Sequence, residues 1–491
     1  MTGKENFGYD MDRMTDEMPQ GKGQAPGIIT ACEAEAARKC ISTALEAGAS
    51  QVRVALDKSI SDSLSLLNGE LDKVCHSADR AVSLSIFANG RYGTFSTNET
   101  DEGKLMDFVK KAVRTTGMLA EDRCRRLPDP ARTAKDATDG DETGLYDRSR
   151  HMIAQDMRLS AAMSGSIFRQ AKEGRIPEEM LTGNGKYSII SEECEYSDSI
   201  DDNLTLDSRG FRGRHIETSF GYTAEITVGT HDGSLFSGYW WNSSPFMSGL
   251  TIDGCSETAL RRAAGQIGQE KCRSGKYNMI VDSCVSSRLV APIVSALNAM
   301  SLQQKNSFLT DSLGRKIFAE GLTLMDLART CGRPGSRFYD SEGVATKDCP
   351  VISGGTVMEY FINTYMSEKT GLPPTVEGIS RPVLMPWAAD SGLQSAEKAI
   401  SLQDMFRCCK DGIYVCGFNG GNCNPTTGDF SYGVEGFVFR DGEMAGPVRE
   451  MLVTGNMVTL WNSLTAAGSD ARKCSRWQIP SLAFAEVDFS A

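Results

Sequence analysis

The chain reads as an α+β protein, with an N-terminal antiparallel sheet carrying helices and a β-rich C-terminal half of barrel-like or sandwich form. Three observations predict this. Turn-forming pairs Asn68-Gly69, Asn89-Gly90, Asp232-Gly233 and Asp441-Gly442 each stand between apolar, strand-like segments, and such pairs close antiparallel hairpins. Helical segments come singly between groups of strands, not in strict alternation with them, which disfavours a doubly wound parallel sheet. At 491 residues the chain exceeds one ordinary core. It divides near Gly275 into a flexible tail (1–28), an α+β domain (29–274) and a β-rich domain (275–491).

In chain order, Ala31 to Ala47 has helical composition and stops at Gly48. Val52, Val54 and Leu56 alternate with polar residues, and two hairpins follow at Asn68-Gly69 and Asn89-Gly90. Glu102 to Met118 carries Leu105, Phe108, Val109 and Ala112 on one helical face. Leu127 to Asp147, rich in Asp, Thr, Gly and Pro, is a connecting loop. Arg150 to Glu173 predicts one helix, Tyr187 to Trp241 a return to strands with a hairpin at Asp232-Gly233, and Ser256 to Lys271 a helix. Beyond the boundary come a strand (Tyr277 to Val281), a helix (Ser286 to Met300) and a Gly-rich, strand-rich remainder with the Asp441-Gly442 hairpin.

A formal net charge of -12 without a basic patch argues against nucleic-acid binding. No segment reaches the length of a membrane span and no apolar export signal opens the chain, so a cytoplasmic location is expected, away from the membrane. Fifteen cysteines, an odd number with no Cys-x-x-Cys pair, point to free thiols, the adjacent Cys408 and Cys409 included.

Few residues carry chemistry. The four histidines, His76, His151, His215 and His231, include no two at the spacing that aims a pair of imidazoles from one helix. His76 and His231 are expected at strand ends beside turns. No Gly-x-Ser-x-Gly elbow occurs, and Ser164-Gly-Ser166 and Ser353-Gly-Gly355 are too generic to mark a nucleophile. Gly417-Phe-Asn-Gly-Gly-Asn422 lacks the Lys and Ser/Thr of a phosphate loop.

One ordered set of motifs is more specific. Asn68-Gly-Glu70 and Arg91-Tyr-Gly-Thr-Phe-Ser-Thr97 come first. Ser307, Leu313-Gly314, Phe338-Tyr-Asp-Ser-Glu-Gly-Val344 and Gly354-Gly355 through Tyr365 follow. Then come Asn424-Pro-Thr-Thr-Gly-Asp-Phe-Ser-Tyr-Gly433, Glu435-Gly-Phe437, Pro447-Val448, Thr454-Gly-Asn-Met457, Ala467-Gly-Ser-Asp470 and Ile479-Pro-Ser481. From about Ala31 onward the chain resembles the TldD/PmbA family, known also as modulator of DNA gyrase, and within it the PmbA (TldE) branch. The TldD branch carries His-Glu-x-x-x-His on the helix after the domain boundary, with a late cysteine as third zinc ligand. Here that helix reads Ser286 to Asn298 with neither His nor Glu. Leu289, Val290, Ile293, Val294 and Leu297 form an apolar stripe instead. Cys474 lies near the position of the ligand cysteine and reads as a plain thiol.

The resemblance implies a metal-free subunit of a heteromeric TldD–PmbA peptidase acting on unfolded or leader peptides. Zinc belongs to a TldD-like partner, this chain holds no cofactor, and it forms a homodimer when alone. Two other readings stand beside it: an independent hydrolase using a cysteine or an unusual metal set, and a stand-alone peptide-binding protein. In the signature, Gly428, Gly433 and Gly436 permit close backbone approach while Phe430 and Tyr432 pack. Asp429 and Ser431 either cap local turns or, with Asn424 and Thr427, edge a cleft where an extended peptide adds as a strand.

Overall fold

The computed structural model describes residues 27–268, 272–389 and 400–491. The predicted tail lies outside them except for its last two residues. Those are held: the Gly27 amide donates to the Tyr146 hydroxyl at 3.3 Å and the Ile28 amide to Asp202 Oδ2 at 2.7 Å.

The N-terminal half is a six-stranded antiparallel sheet of β1 (Gln51–Leu67), β2 (Glu70–Ala88), β3 (Arg91–Thr97), β4 (Ser188–Asp207), β5 (Arg212–Gly229) and β6 (Leu235–Ser244), in spatial order β3-β2-β1-β4-β5-β6. Both Asn-Gly pairs turn as expected, with φ of 52° and 75° at Asn68-Gly69 and 52° and 71° at Asn89-Gly90. Asp232-Gly233 does not make a tight two-residue turn. Gly229 pairs with Leu235, leaving a longer loop in which only Gly233 has positive φ.

Helices cover one face of this sheet. The N-terminal pair, α1 (Ala31–Glu46) and α2 (Glu102–Thr116), is capped by Thr30 and Asp101 and buries Leu105, Val109, Val52, Val54 and Leu84 in a first cluster. The predicted helix Arg150 to Glu173 is broken. A 3-10 turn at Arg148–Met152, α3 (Gln155–Ser164) and α4 (Ile167–Lys172) replace it, followed by α5 (Glu178–Thr182). The break has a tertiary cause. A Cβ at Gly165 would lie 2.4 Å from the Tyr222 ring, and Ser166 leaves the helix to bond the buried Glu192 and cap α4. Packing of α3 and α6 (Cys255–Gly265) buries a second cluster around Tyr196, Tyr222, Ile226 and Ala259. The predicted end of α6 at Lys271 lies outside the described residues.

Between the two clusters the sheet carries charge. Asp62 on β1 and Asp198 on β4 face Arg150 and Arg158. Arg158 Nε lies 2.6 Å from Asp198 Oδ2, Arg158 Nη2 lies 3.0 Å from Asp62 Oδ2, and Arg150 Nη2 lies 2.7 Å from the same Asp62 oxygen. Asp202, one turn of the pleat further on, receives both Arg214 Nε and Nη2. The middle of the opposite face is lined by small polar residues, among them Ser61, Ser63, Ser77, Ser197, Ser199 and Ser219, and its Asn203 end is covered by Tyr339, whose hydroxyl donates to Asn203 Oδ1 at 3.2 Å.

The C-terminal half opens with β7 (Gly275–Val281) and α7 (Ser287–Ala296). A small sheet follows, of β8 (Leu324–Asp326), β9 (Cys349–Ser353), β10 (Thr356–Val357) and β11 (Pro382–Leu384). The remaining strands are β12 (Trp387–Ala388), β13 (Gly412–Cys423), β14 (Asp429–Arg440), β15 (Glu443–Asn456), β16 (Leu464–Ala467) and β17 (Leu482–Ser490). Asp441-Gly442 joins β14 to β15 as a tight turn with both φ positive. β17 pairs with β15 on one side and β7 on the other, and β7 pairs with β13 in parallel, so β7, β13, β14, β15 and β17 close into a five-stranded barrel. The barrel form is the outcome of the two foreseen. The predicted helix Ser286 to Met300 stops at Ala296 because the Phe361 amide donates to the Leu297 carbonyl at 3.0 Å and the Ala299 amide to the Phe361 carbonyl at 2.9 Å, and Asn298 caps a new helix at Ala299–Gln303. Leu289, Val290, Ile293 and Leu297 are fully buried in the barrel core with Tyr432, Val453, Trp461 and Phe484. Val294 is half-buried at its margin. Among the described residues no helix is long and apolar enough to cross a membrane.

Removing one partner of a buried ion pair strands the other, whereas an exposed pair is screened. Asp198→Asn is therefore expected to cost about 3–5 kcal/mol in chemical denaturation, against less than about 1 kcal/mol for Glu35→Gln, which breaks the exposed Arg38 pair. Similar losses for both would refute the importance given to the buried charges. Leu297→Ala should cost about 2–5 kcal/mol, and an unchanged Tm would show the core to lie elsewhere.

Candidate functional site

A large hollow lies where the two halves meet. A trench of about 1240 Å³ runs between β6 and α6 on one side and the outer face of the barrel on the other. It shares Trp240, Asp282, Cys284 and Arg472 with a neighbouring hollow of about 660 Å³ floored by residues 470–474.

Each wall residue is placed by local structure. β7 ends at Val281, and the Asp282 carboxylate then accepts the Cys284 amide at 2.7 Å, a turn that leads into α7. The other Asp282 oxygen receives the Tyr414 hydroxyl from β13 and faces Arg262 Nη2 of α6 at 3.4 Å. One carboxylate thus ties the barrel to the N-terminal half. The loop after β16 is fixed in turn: Asp470 accepts the Ser481 amide at 2.8 Å and its hydroxyl at 2.6 Å, and Ser481 Oγ accepts the Ser283 amide at 3.2 Å. This loop delivers Arg472, which donates to the Trp241 carbonyl and to Asn242 Oδ1 on β6. The guanidinium carbons of Arg472 and Arg262 lie 4.2 and 4.7 Å from the Trp240 ring centroid, within cation–π range.

The electrostatics leave donors and few bases. Burial, and next the Asp282 charge, raise the Tyr414 phenol far above its ordinary value, so it stays a donor. Burial and Asp282 push the Cys284 thiol up to about 11, although Arg262 and Arg472 approach its sulfur at 3.6 and 3.5 Å. Desolvation outweighs the two cations, so Cys284 is a protonated thiol at neutral pH. No histidine lines the trench. The thiols that line the two hollows, Cys284, Cys416 and Cys474, have no imidazole among the lining residues to act as their base.

The residues singled out in the signature lie elsewhere. Asn424, Thr427 and Asp429 meet in the turn joining β13 to β14, at one end of the barrel. Thr427 Oγ1 donates to Asp429 Oδ2 at 2.7 Å, Asn456 Nδ2 donates to Asp429 Oδ1 at 2.9 Å, and the Thr426 amide donates to Asn424 Oδ1 at 2.9 Å. Ser431 sits on β14 opposite Asn422 and Thr454. None of the four lines the trench. Cys474 lines the neighbouring hollow, its carbonyl accepting from Ser243 Oγ at 3.0 Å.

His76 is not at a strand end. It lies midway along β2, opposite Asp62, with Nδ1 2.8 Å from that carboxylate. His231 is in the β5–β6 loop, with Nε2 3.1 Å from the Gly185 carbonyl. His151 pairs with Tyr146 at 2.9 Å and His215 with Glu217 at 3.2 Å. Among the described residues, no three His, Cys, Asp or Glu side chains gather as a metal site would require. Arg262, Asp282, Tyr414 and Arg472 went unmarked in the sequence; the Trp240-Trp241 doublet was the sole local sign of the trench.

Known proteins were compared with this architecture. Residues 274–491 match the family model of the PmbA/TldA metallopeptidase C-terminal domain, and residues 52–116 that of PmbA/TldA metallopeptidase domain 1. The metalloprotease PmbA of Escherichia coli O157:H7 is 25% identical over 465 residues, covering 93% of this chain and 97% of that protein. A PmbA homolog of Haemophilus influenzae is 23% identical, covering 92% and 96%. The crystal structure of a candidate modulator of DNA gyrase from Bacteroides thetaiotaomicron superposes with a TM-score of 0.85 at 38% identity, covering 94% of this chain and 100% of that one. TldE of Thermococcus kodakarensis shares the fold with a TM-score of 0.77 at 16% identity, covering 93% and 100%.

The thiol chemistry is testable. Cys284 should alkylate more slowly at neutral pH than the exposed Cys32 and Cys331, and accelerate as pH climbs toward 11. Equal rates at neutral pH, read by peptide mass mapping, would contradict the burial argument.

Proposed function

Because the chain belongs to the PmbA/TldD metallopeptidase family, we propose that it is a peptide-holding subunit that does not itself hydrolyse, working beside a zinc-bearing, TldD-like partner. Its curated relatives are named metalloproteases, so a peptidase-related function is the family-level premise. The finer reading rests on one observation. The helix that would carry the catalytic ligands, α7, presents Leu289, Val290, Ile293 and Ala296 to the barrel core. It offers neither an imidazole nor a carboxylate. The donor set does not fit a catalytic zinc, which needs three protein ligands and an open position. Cys474, the remaining candidate ligand, has no histidine among the residues that share its hollow.

The trench supports the peptide-holding part. Tyr239, Trp240, Trp241 and Phe437 supply apolar area, and Arg261, Arg262, Arg472, Glu435 and Glu450 supply both signs of charge, a lining that tolerates many side chains. The Asn424–Asp429 turn spends its polar groups internally and fits the turn-capping role for Asp429. The gyrase wording attached to the Bacteroides relative is not carried over as DNA contact, since a net charge of -12 repels phosphate. A cytoplasmic site of action, away from membranes, belongs to the same proposal.

The test measures turnover of an unstructured peptide by this chain, by a zinc-bearing family partner and by the mixture, with and without chelator. No cleavage by this chain alone and chelator-sensitive cleavage by the mixture are expected. In the mixture, Tyr239→Ala should raise KM roughly tenfold, equivalent to about 1.4 kcal/mol, with kcat unchanged. Chelator-sensitive cleavage by this chain alone would overturn the reading. Cleavage blocked only by a thiol reagent would favour a cysteine hydrolase, and peptide binding with no cleavage in any mixture a stand-alone binding protein.

A further inference from the structure

The smaller hollow beside the trench is unbalanced in charge. Two carboxylates, Asp282 and Asp470, and three cations, Arg333, Arg472 and Lys473, line its volume of about 660 Å³. Both carboxylates are spent on the protein. Asp470 takes the amide and hydroxyl of Ser481, and Asp282 takes the Cys284 amide, the Tyr414 hydroxyl and Arg262. The cations divide. Arg472 is held by the Trp241 carbonyl and Asn242 Oδ1. Among the described residues, the side chains of Arg333 and Lys473 have no hydrogen-bond acceptor and no carboxylate at ion-pair distance.

The backbone puts both there. Lys473 is the second residue of a turn closed by the Ser475 amide on the Arg472 carbonyl at 3.1 Å, and Gln478 Nε2 donates to the same carbonyl at 2.8 Å. Arg333 follows Gly332, whose amide donates to the Thr143 carbonyl of the N-terminal half at 2.8 Å. The two loops pack together: a Cβ at Gly335 would lie 2.6 Å from Arg476 Cβ and 3.1 Å from the Ser380 carbonyl. Next to Ser380 stands Arg381, 7% exposed, with no partner for its Nε. Burial, and next the Arg333 charge, lower the Arg381 pKa, against the opposite pull of Asp348 and Asp326. One exposed cation is ordinary. Two at one concavity, with a buried guanidinium close enough to be repelled, form an arrangement that a bound anion relieves.

We infer that this hollow binds a carboxylate of the peptide held in the trench, with Arg333 and Lys473 as its partners. The inference rests on the peptide-holding role, because the hollow opens onto the trench across Trp240, Asp282, Cys284 and Arg472. A peptide that lies against the Trp240 ring and runs on out of the trench enters the hollow. Glu435 and Glu450 line the trench and not the hollow, so the charge along the joined site turns from mixed to positive and draws a carboxylate to one end. The guanidinium fork suits a carboxylate, whether an acidic side chain or a free C-terminus. A polyanion would also meet the rest of a surface whose net charge is -12; a single carboxylate meets the hollow alone.

Titration calorimetry of the full chain with four versions of one unstructured peptide tests this. The parent has neutral side chains and an amidated C-terminus. One version frees the C-terminal carboxylate, one carries glutamate as the last residue before the amide, and one carries glutamine there. At least one acidic version should bind roughly tenfold more tightly than the parent and the glutamine control, by a margin that shrinks as salt rises. A gain confined to the free C-terminus identifies a terminal carboxylate, and one confined to glutamate an acidic side chain. Arg333→Ala and Lys473→Ala, each with Tm in place, should bring the acidic peptides down to the affinity of the parent, and Lys473→Arg should keep the gain. Arg38→Ala, which removes an exposed cation elsewhere, should leave it intact. Equal affinities for all four peptides, or a gain that survives Arg333→Ala and Lys473→Ala combined, would overturn the inference and leave the peptide-holding role standing. Binding of none of the four would overturn both.

Discussion

The N-terminal half depends on a carboxylate pair that the sheet cannot leave uncovered. Asp62 and Asp198 sit on the helix-bearing face, midway between two apolar clusters. Arg158 and Arg150 each lie against both, with side chains under 10% exposed. The buried Asp198 and the half-buried Asp62 require those cations, and the cations fix the 3-10 turn and α3 on the sheet. Where α3 sits decides where the chain can turn at Gly165 and Ser166, hence where the second cluster packs. That cluster seats α6, and α6 carries Arg262 to the trench. A polar belt in the middle of a sheet thereby sets the geometry of a hollow at its edge.

What was legible in the sequence was local. Asn68-Gly69, Asn89-Gly90 and Asp441-Gly442 fold as tight turns because the two residues of each pair accept positive φ without help from the rest of the chain. The stripe of α7 was visible as periodicity, and its lack of His and Glu by inspection. Three of the misreadings have a distant cause. Tyr222 breaks the helix at Gly165, and Phe361 breaks the one after Ala296. His76 looked like a turn residue because the polar stretch around it hid a long strand, whose pleat is set by pairing with β1. The trench was illegible for the same reason: Trp240, Arg262, Asp282, Tyr414 and Arg472 come from five separate segments, and no spacing in one dimension announces them.

The signature motifs gain a physical account. A Cβ at Gly433 would lie 2.0 Å from the Asn419 side chain, and one at Gly436 would lie 2.0 Å from the Tyr414 carbonyl, so β13 and β14 approach more closely there than any side chain permits. Asp470 and Ser481 pin the loop that carries Arg472 across to β6. Glu435, Gly436, Phe437, Pro447 and Val448 of the same motifs line the trench itself, so part of what makes the family recognisable also forms the hollow.

The closure of the barrel also has a consequence in time. Gly275 pairs with Phe489, so the ring cannot shut until everything between them has been synthesised and has found its place. Contacts this distant in sequence make for slow folding, while the N-terminal sheet, built mostly of hairpins, can assemble as soon as it emerges. The N-terminal half therefore waits, folded, with Trp240 and Arg262 in position, for the late loop that brings Arg472. The trench is the last part of the molecule to come into existence.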